Sequence, residues 1–139
     1  MTNALKIETF PYYFAIAKIR NPASINWKSP FVFVGKTDDE LSLVALESEV
    51  PSDAYPVDRG YRMMRVAGTL DMSLTGILAR ISKVLADEEI PIFAVSTYNT
   101  DYILVKSHTF RNAIQALSRA GYLVSYTGYD SIIKYHSSL

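Results

Sequence analysis

The 139 residues contain no cysteine. Disulfide staples, thiol nucleophiles and thiolate metal sites are therefore excluded, and a reducing compartment suits the chain. Histidine is almost as scarce, with only His108 and His136. Neither stands at a motif spacing from the partners that nucleophilic or metal-assisted hydrolysis requires. Neither G-x-x-x-x-G-K-[ST] nor G-x-G-x-x-G occurs, so the glycine-rich cradles for nucleotide phosphates are missing. There is no excess charge of either sign: 14 Lys and Arg balance 14 Asp and Glu. Without a basic excess, phosphate neutralisation gives no grip on nucleic acid, and the aromatic RNA-binding signature is absent. No apolar run approaches the roughly 20 residues of a bilayer span. The start, MTNALKIETF, has neither the charged beginning nor the apolar core of a secretory leader. These absences predict a cytoplasmic protein that is not an enzyme, needs no cofactor or metal, and has no nucleic-acid or membrane partner.

What is present is a soluble, globular composition, 49% hydrophobic, with ten tyrosines and six phenylalanines. Aromatics in such numbers are core and interface material in a chain this size. Segments 12–19 (YYFAIAKI), 31–34 (FVFV), 41–47 (LSLVALE) and 61–67 (YRMMRVA) read as strands. Pro51, Pro56 and Gly60 mark residues 48–60 as loop with at most one helical turn. From Leu74, apolar residues at 74, 77, 78, 81, 84 and 85 form the stripe of a helix, with Ser73 as N-cap and an end near Glu89. IPIFAV and YILVK follow as paired strands. A second helix carries Phe110, Ala113, Ile114 and Leu117 on one face, with Ser107 or Thr109 as cap and Gly121 at its left-handed exit. YLVSY is a last strand. The order strand, helix, strand, strand, helix, strand predicts an α+β, ferredoxin-like βαββαβ sandwich.

The first half reads as a worn copy of the second at an offset of 61 residues. Val34 then meets Val95, Gly35 meets Ser96, Asp38 meets Asn99 and Glu40 meets Asp101. The short connection between Ile19 and Phe31 leaves little of the first helix. The expected division is residues 1–60 as a degenerate unit and residues 61–139 as a complete unit with a C-terminal tail. The tail is expected to add a strand to the first unit or to a second chain. Thr37, Asp38, Glu40 and Ser42 read as a solvated turn.

Residues 66–106, through GTLDMSLTGILARISKVLADEEIPIFAVSTYNTDYILVK, resemble the ACT-domain family, which includes the regulatory units of aspartate kinases and of animal arginine sensors. The resemblance extends more weakly to residues 12–47. It implies two ACT-like units in tandem and a free amino acid bound where the loop after the first strand meets the first helix. That loop is Gly68, Thr69, Leu70, Asp71, Met72 and Ser73, leading into Leu74. The opposing wall is the polar turn Ser96, Thr97, Tyr98, Asn99, Thr100 and Asp101. The chemistry agrees with this placement. Unpaired N–H groups at a helix start suit a carboxylate. Asp71 or Asp101 suits an ammonium group, and the hydroxyls and Asn99 orient by hydrogen bonds. Each residue also has a plainer role open to it: Ser73 as a cap, Asp71 as a complement to the helix dipole, Gly68 and Gly76 as close-packing positions.

The expected function is thus a non-catalytic regulatory module. It binds a free amino acid or similar small zwitterion at an interface between ACT units or in a homodimer, and passes its state to an effector protein. The alternative is a structural dimerisation or protein-interaction module without a small-molecule ligand.

Overall fold

A computed structural model describes residues 5–67 and 76–126. The elements are β1 (Lys6–Thr9), β2 (Phe14–Lys18), β3 (Val32–Lys36), β4 (Leu41–Leu46), β5 (Val57–Ala67), α1 (Ile77–Asp87), β6 (Phe93–Ser96), β7 (Asp101–Lys106), α2 (Ser107–Arg119) and β8 (Leu123–Tyr126). They group into two compact units. One runs from Tyr12 to Tyr61; the other joins the N-terminal segment up to Pro11 to the chain from Arg62 onward. The long strand β5 serves both, changing unit between Tyr61 and Arg62.

The unit that carries both helices is mixed α+β and has the expected order β5–α1–β6–β7–α2–β8. Its strands lie in the order β6, β7, β5, β1, β8. The apolar stripes read from the sequence are the ones that pack. Ile77, Ile81 and Leu85 from α1 meet Phe110, Ala113, Ile114 and Leu117 from α2 over Ile7, Met64, Val66, Ile103 and Val105 of the sheet. Alternation along each strand sends these sheet residues to the helix-covered face.

Three details differ from the sequence reading. First, β1 was not expected. It lies between β5 and β8, antiparallel to β5 (Lys6↔Ala67 to Thr9↔Met64) and parallel to β8 (Lys6↔Leu123 to Thr9↔Tyr126). Its Ile7 and Thr9 are completely buried, and the Thr9 hydroxyl donates to the Ser125 carbonyl at 3.2 Å. Second, α1 starts at Ile77, and Gly76 occupies the N-cap in the left-handed region at φ 73°. A left-handed residue cannot continue a helix begun at Leu74, which is why the start moves. Third, α2 has Lys106 at its N-cap and no side-chain cap; the Thr109 hydroxyl donates backwards to the Lys106 carbonyl at 2.9 Å.

Both helices end in Schellman motifs. After α2, Tyr122 N–H reaches the Leu117 carbonyl and Gly121 N–H the Ser118 carbonyl, with Gly121 at φ 100° as its sequence position predicts. After α1 the same bonds run from Ile90 to Leu85 and from Glu89 to Ala86, but the left-handed residue is Glu89, at φ 58°. An L side chain there is disfavoured by about 1 kcal/mol relative to glycine. Glu89→Gly is therefore expected to raise stability by roughly 0.5–1 kcal/mol in a urea melt.

In the Tyr12–Tyr61 unit the strands run β3, β4, β2, then the first residues of β5, all antiparallel. In place of helices there are single 3-10 turns at Pro22–Ser24 and Glu47–Glu49. Ile19, Ile25, Leu43 and Ala45 form its small apolar cluster. β5 begins at Val57 rather than 61. Gly60 sits inside the strand at φ 84°, its N–H held by a Glu47 carboxylate oxygen at 3.0 Å, so this glycine bends a strand instead of ending a loop.

The two hairpins correspond pair for pair, one residue away from the expected offset. Lys36↔Leu41 matches Ser96↔Asp101, Gly35↔Ser42 matches Val95↔Tyr102 and Phe33↔Val44 matches Phe93↔Leu104, a constant difference of 60. The burial pattern along β4 and β7 is the same, with Leu43, Val44 and Ala45 matching Ile103, Leu104 and Val105.

Candidate functional site

The polar turn is built from its ends inward. Ser96 and Asp101 are the last register pair of β6 and β7, and the Ser96 hydroxyl donates to Asp101 Oδ1 at 2.6 Å. Thr97 and Thr100 close the turn: Thr97 N–H reaches the Thr100 carbonyl at 2.9 Å, and Thr97 Oγ1 donates to the same carbonyl at 3.0 Å. Three of the six polar side chains, Ser96, Thr97 and Asp101, are thus engaged locally. Tyr98 at the tip is fully exposed, and Asn99 beside it is exposed too. The first hairpin turns the same way, with Thr37 N–H on the Glu40 carbonyl at 2.9 Å and the Thr37 hydroxyl accepting from Asp39 and Glu40 N–H.

One contact ties the turn to the rest of its unit. Thr100 Oγ1 donates to the Val66 carbonyl at 2.6 Å, one residue before the end of β5. Asp101 alternates with Ile103 and Val105, both in the helix-packed core, so its carboxylate lies on the helix-covered side at the end of β7. The N-cap of α1 is Gly76, which has no side chain with which to cap the first N–H groups of the helix. Gly68, Thr69, Leu70, Asp71, Met72, Ser73 and Leu74, the other expected wall, lie outside the described residues, as does the tail beyond Tyr126.

On the opposite face of this sheet Arg65 is enclosed by partners that sequence reasoning did not bring together. Its Nε binds Glu8 Oε1 at 2.9 Å, and its guanidinium stands 4.8 Å from the Phe10 ring and 5.9 Å from the Tyr102 ring. Burial works against its charge, but the hydrogen bonds to Glu8 and Tyr102 outweigh it and raise its pKa. Arg62 is buried, 4.2 Å above the Phe110 ring, with Nη2 donating to the Phe10 carbonyl at 2.8 Å. These arginines are held by structure. The signal that could have found them is the alternation of Arg62 and Arg65 with apolar residues in a strand.

Among the described residues no three His, Asp or Glu side chains converge as metal ligands, and no helix is long and apolar enough to cross a membrane.

Residues 57–119 match the family described as ACT domain. A crystal structure of a protein from Agrobacterium tumefaciens is similar over 90% of this chain and 95% of that one, at 29% identity and a TM-score of 0.81. The ligand-free regulatory subunit of aspartate kinase from Thermus thermophilus is similar over 83% of this chain and 96% of that one, at 10% identity and a TM-score of 0.60. The aspartate kinase of Clostridium acetobutylicum is similar over 84% of this chain but only 34% of its own length, at 14% identity and a TM-score of 0.60. At such identities the two kinase structures speak for the fold alone. No curated protein matches the sequence.

Proposed function

Residues 57–119 being an ACT domain, we propose that the chain is a non-catalytic regulatory module that binds a free amino acid or similar small zwitterion. The ligand sits between the loop Gly68–Leu74 and the turn Ser96–Asp101, at a boundary with a second ACT-like unit or a second copy of the chain. The observation that carries this reading is the 2.6 Å bond from Thr100 Oγ1 to the Val66 carbonyl. It holds the polar turn beside the point where the chain leaves β5 toward residue 68. Asp101 on the helix-covered face then takes the ammonium group, and the positive end of the α1 dipole favours the carboxylate.

The second ACT-like unit in this reading is the reduced copy within the first sixty residues, whose strands from Tyr12 onward form a unit of their own while β1 joins the unit that continues beyond residue 61. The shared register at an offset of 60 and the strand order β3–β4–β2–β5 support it. The 3-10 turn beginning at Glu47 stands where α2, beginning at Ser107, stands in the complete unit. Binding would order the two loops and shift the population of surfaces offered to an effector protein.

A thermal-shift screen of the twenty amino acids tests the reading. A ligand at 100 times its dissociation constant adds about 2.7 kcal/mol, or roughly 8–10 °C for a chain of this size. Asp101→Ala and Ser73→Ala are expected to remove most of that shift. If no amino acid moves the melt, the ligand reading fails and a purely structural dimerisation module takes its place.

A further inference from the structure

The Tyr12–Tyr61 unit contains a groove of about 400 Å³, within the usual size range of small-molecule sites. Register places Ile16, Lys18, Ser42 and Asp58 of its lining on one face of the sheet. Ile16 and Lys18 alternate along β2, Lys18 pairs with Ser42 of β4, and Ile16 pairs with Asp58 of β5. The other face is covered by the cluster of Ile19, Ile25, Leu43 and Ala45. Ile16 and Pro56 give the groove an apolar lining, and Glu40 enters from the turn before β4.

Comparison with the helix-bearing unit shows what is unusual here. The counterpart of Ser42 is Tyr102, since Gly35↔Ser42 matches Val95↔Tyr102. There the ring lies near Arg65, whose charge is already met by Glu8 at 2.9 Å. In the Tyr12–Tyr61 unit a small serine replaces the ring and a glycine stands opposite it. Lys18 has no side-chain partner among the described residues. A position filled and neutralised in one unit is hollow and charged in the other.

We propose that this groove is a second small-molecule site, distinct from the polar turn. It takes an amino-carboxylate whose carboxylate meets Lys18 and whose ammonium groups meet Glu40 and Asp58. The lining offers one ammonium, on Lys18, and two carboxylates, on Glu40 and Asp58, so a ligand with one carboxylate and two ammonium groups matches it group for group. Glu40 already accepts the Ser42 hydroxyl, and Asp58 accepts the Tyr61 hydroxyl at 2.6 Å, which fixes both carboxylates in place. Burial first, then the hydrogen bond to Asp58, push the Tyr61 phenol up to about 12, so it remains a donor throughout the neutral range.

The test is a set of amide NMR titrations of the full chain with L-lysine, L-alanine, L-glutamate and cadaverine, each to about 10 mM. L-lysine is expected to shift the amides of Ile16, Lys18, Ser42 and Asp58 saturably. L-alanine should bind roughly tenfold more weakly, and L-glutamate should leave these amides unmoved. Ser42→Tyr copies the residue of the other unit into the hollow and should weaken L-lysine at least ~10-fold. Lys18→Met, at an exposed position, should weaken L-lysine about tenfold while leaving cadaverine, which has no carboxylate, as tight or tighter. All these shifts should persist in Asp101→Ala, which separates this groove from the polar turn. Absent shifts at these amides, equal binding of the three amino acids, or unchanged L-lysine affinity in Lys18→Met would each overturn the proposal. If Ser42→Tyr loses its amide dispersion, the Lys18→Met pair of titrations decides alone.

Discussion

A chain without residues 1–11 is expected to lose cooperative folding of its helix-bearing unit. β1 lies between β5 and β8, and it forms a full ladder with each. Its removal takes away Ile7, at 0% exposure, together with buried Thr9 and Phe10. Burying one large apolar side chain contributes about 1.5–3 kcal/mol, and the cavity left behind costs more. Two such side chains and two ladders approach the whole stability of an ordinary domain, about 5–15 kcal/mol. Arg62 would also lose the Phe10 carbonyl, and Arg65 would lose Glu8, leaving two cations on β5 with fewer partners. The measurement is a urea melt followed by far-UV circular dichroism and by the amides of α1 and α2. A sharp transition at the full-length midpoint would mean that β8 pairs directly with β5 when β1 is absent.

Leu85→Ala is expected to cost roughly 3–4 kcal/mol, at the upper part of the range for such changes. Leu85 is at 0% exposure in the last turn of α1, within the cluster that includes Ile81, Ile90 and Leu117. Its backbone carbonyl accepts from Ile90 N–H in the Schellman turn, and both side chains belong to that same core. Truncation therefore empties a core position and removes the hydrophobic contact that accompanies this helix exit. The neighbouring Glu89→Gly change acts in the opposite direction on the same turn. A loss below about 1 kcal/mol for Leu85→Ala would mean that the surrounding side chains collapse into the space, since the cost grows with the residual cavity.

The helices were legible because their apolar residues recur at helical spacing over several turns, and among the described residues, from 77 onward, both stripes pack as read. The order of the elements followed from them. β1 was not legible: KIET is short, and only two of its four residues are buried. Its place comes from partners more than fifty residues away, which local pattern cannot signal. The likeness of the two hairpins was legible, but its offset differs by one from the expected 61. Alternating apolar strands match almost as well one step apart, although such a slip turns every side chain to the other face. The hydrogen-bonded turns decide it, because Thr37 and Thr97 begin the same closure. Gly60 was taken as a loop residue because glycine marks both loops and bent strands. At the candidate site the polar turn was found from composition alone. That Ser96, Thr97, Thr100 and Asp101 engage one another, or β5, could not be read there, since hydroxyls close turns and bind ligands with the same groups.

The parallel pairing of residues 6–9 with residues 123–126 has a further consequence for biosynthesis. On the ribosome β1 emerges long before its neighbour β8. The Tyr12–Tyr61 strands have all their ladder partners long before then. Until translation reaches residue 126, Ile7 and Phe10 lack part of their final surroundings, so nascent chains stalled before that point are natural substrates for chaperones that shield apolar segments.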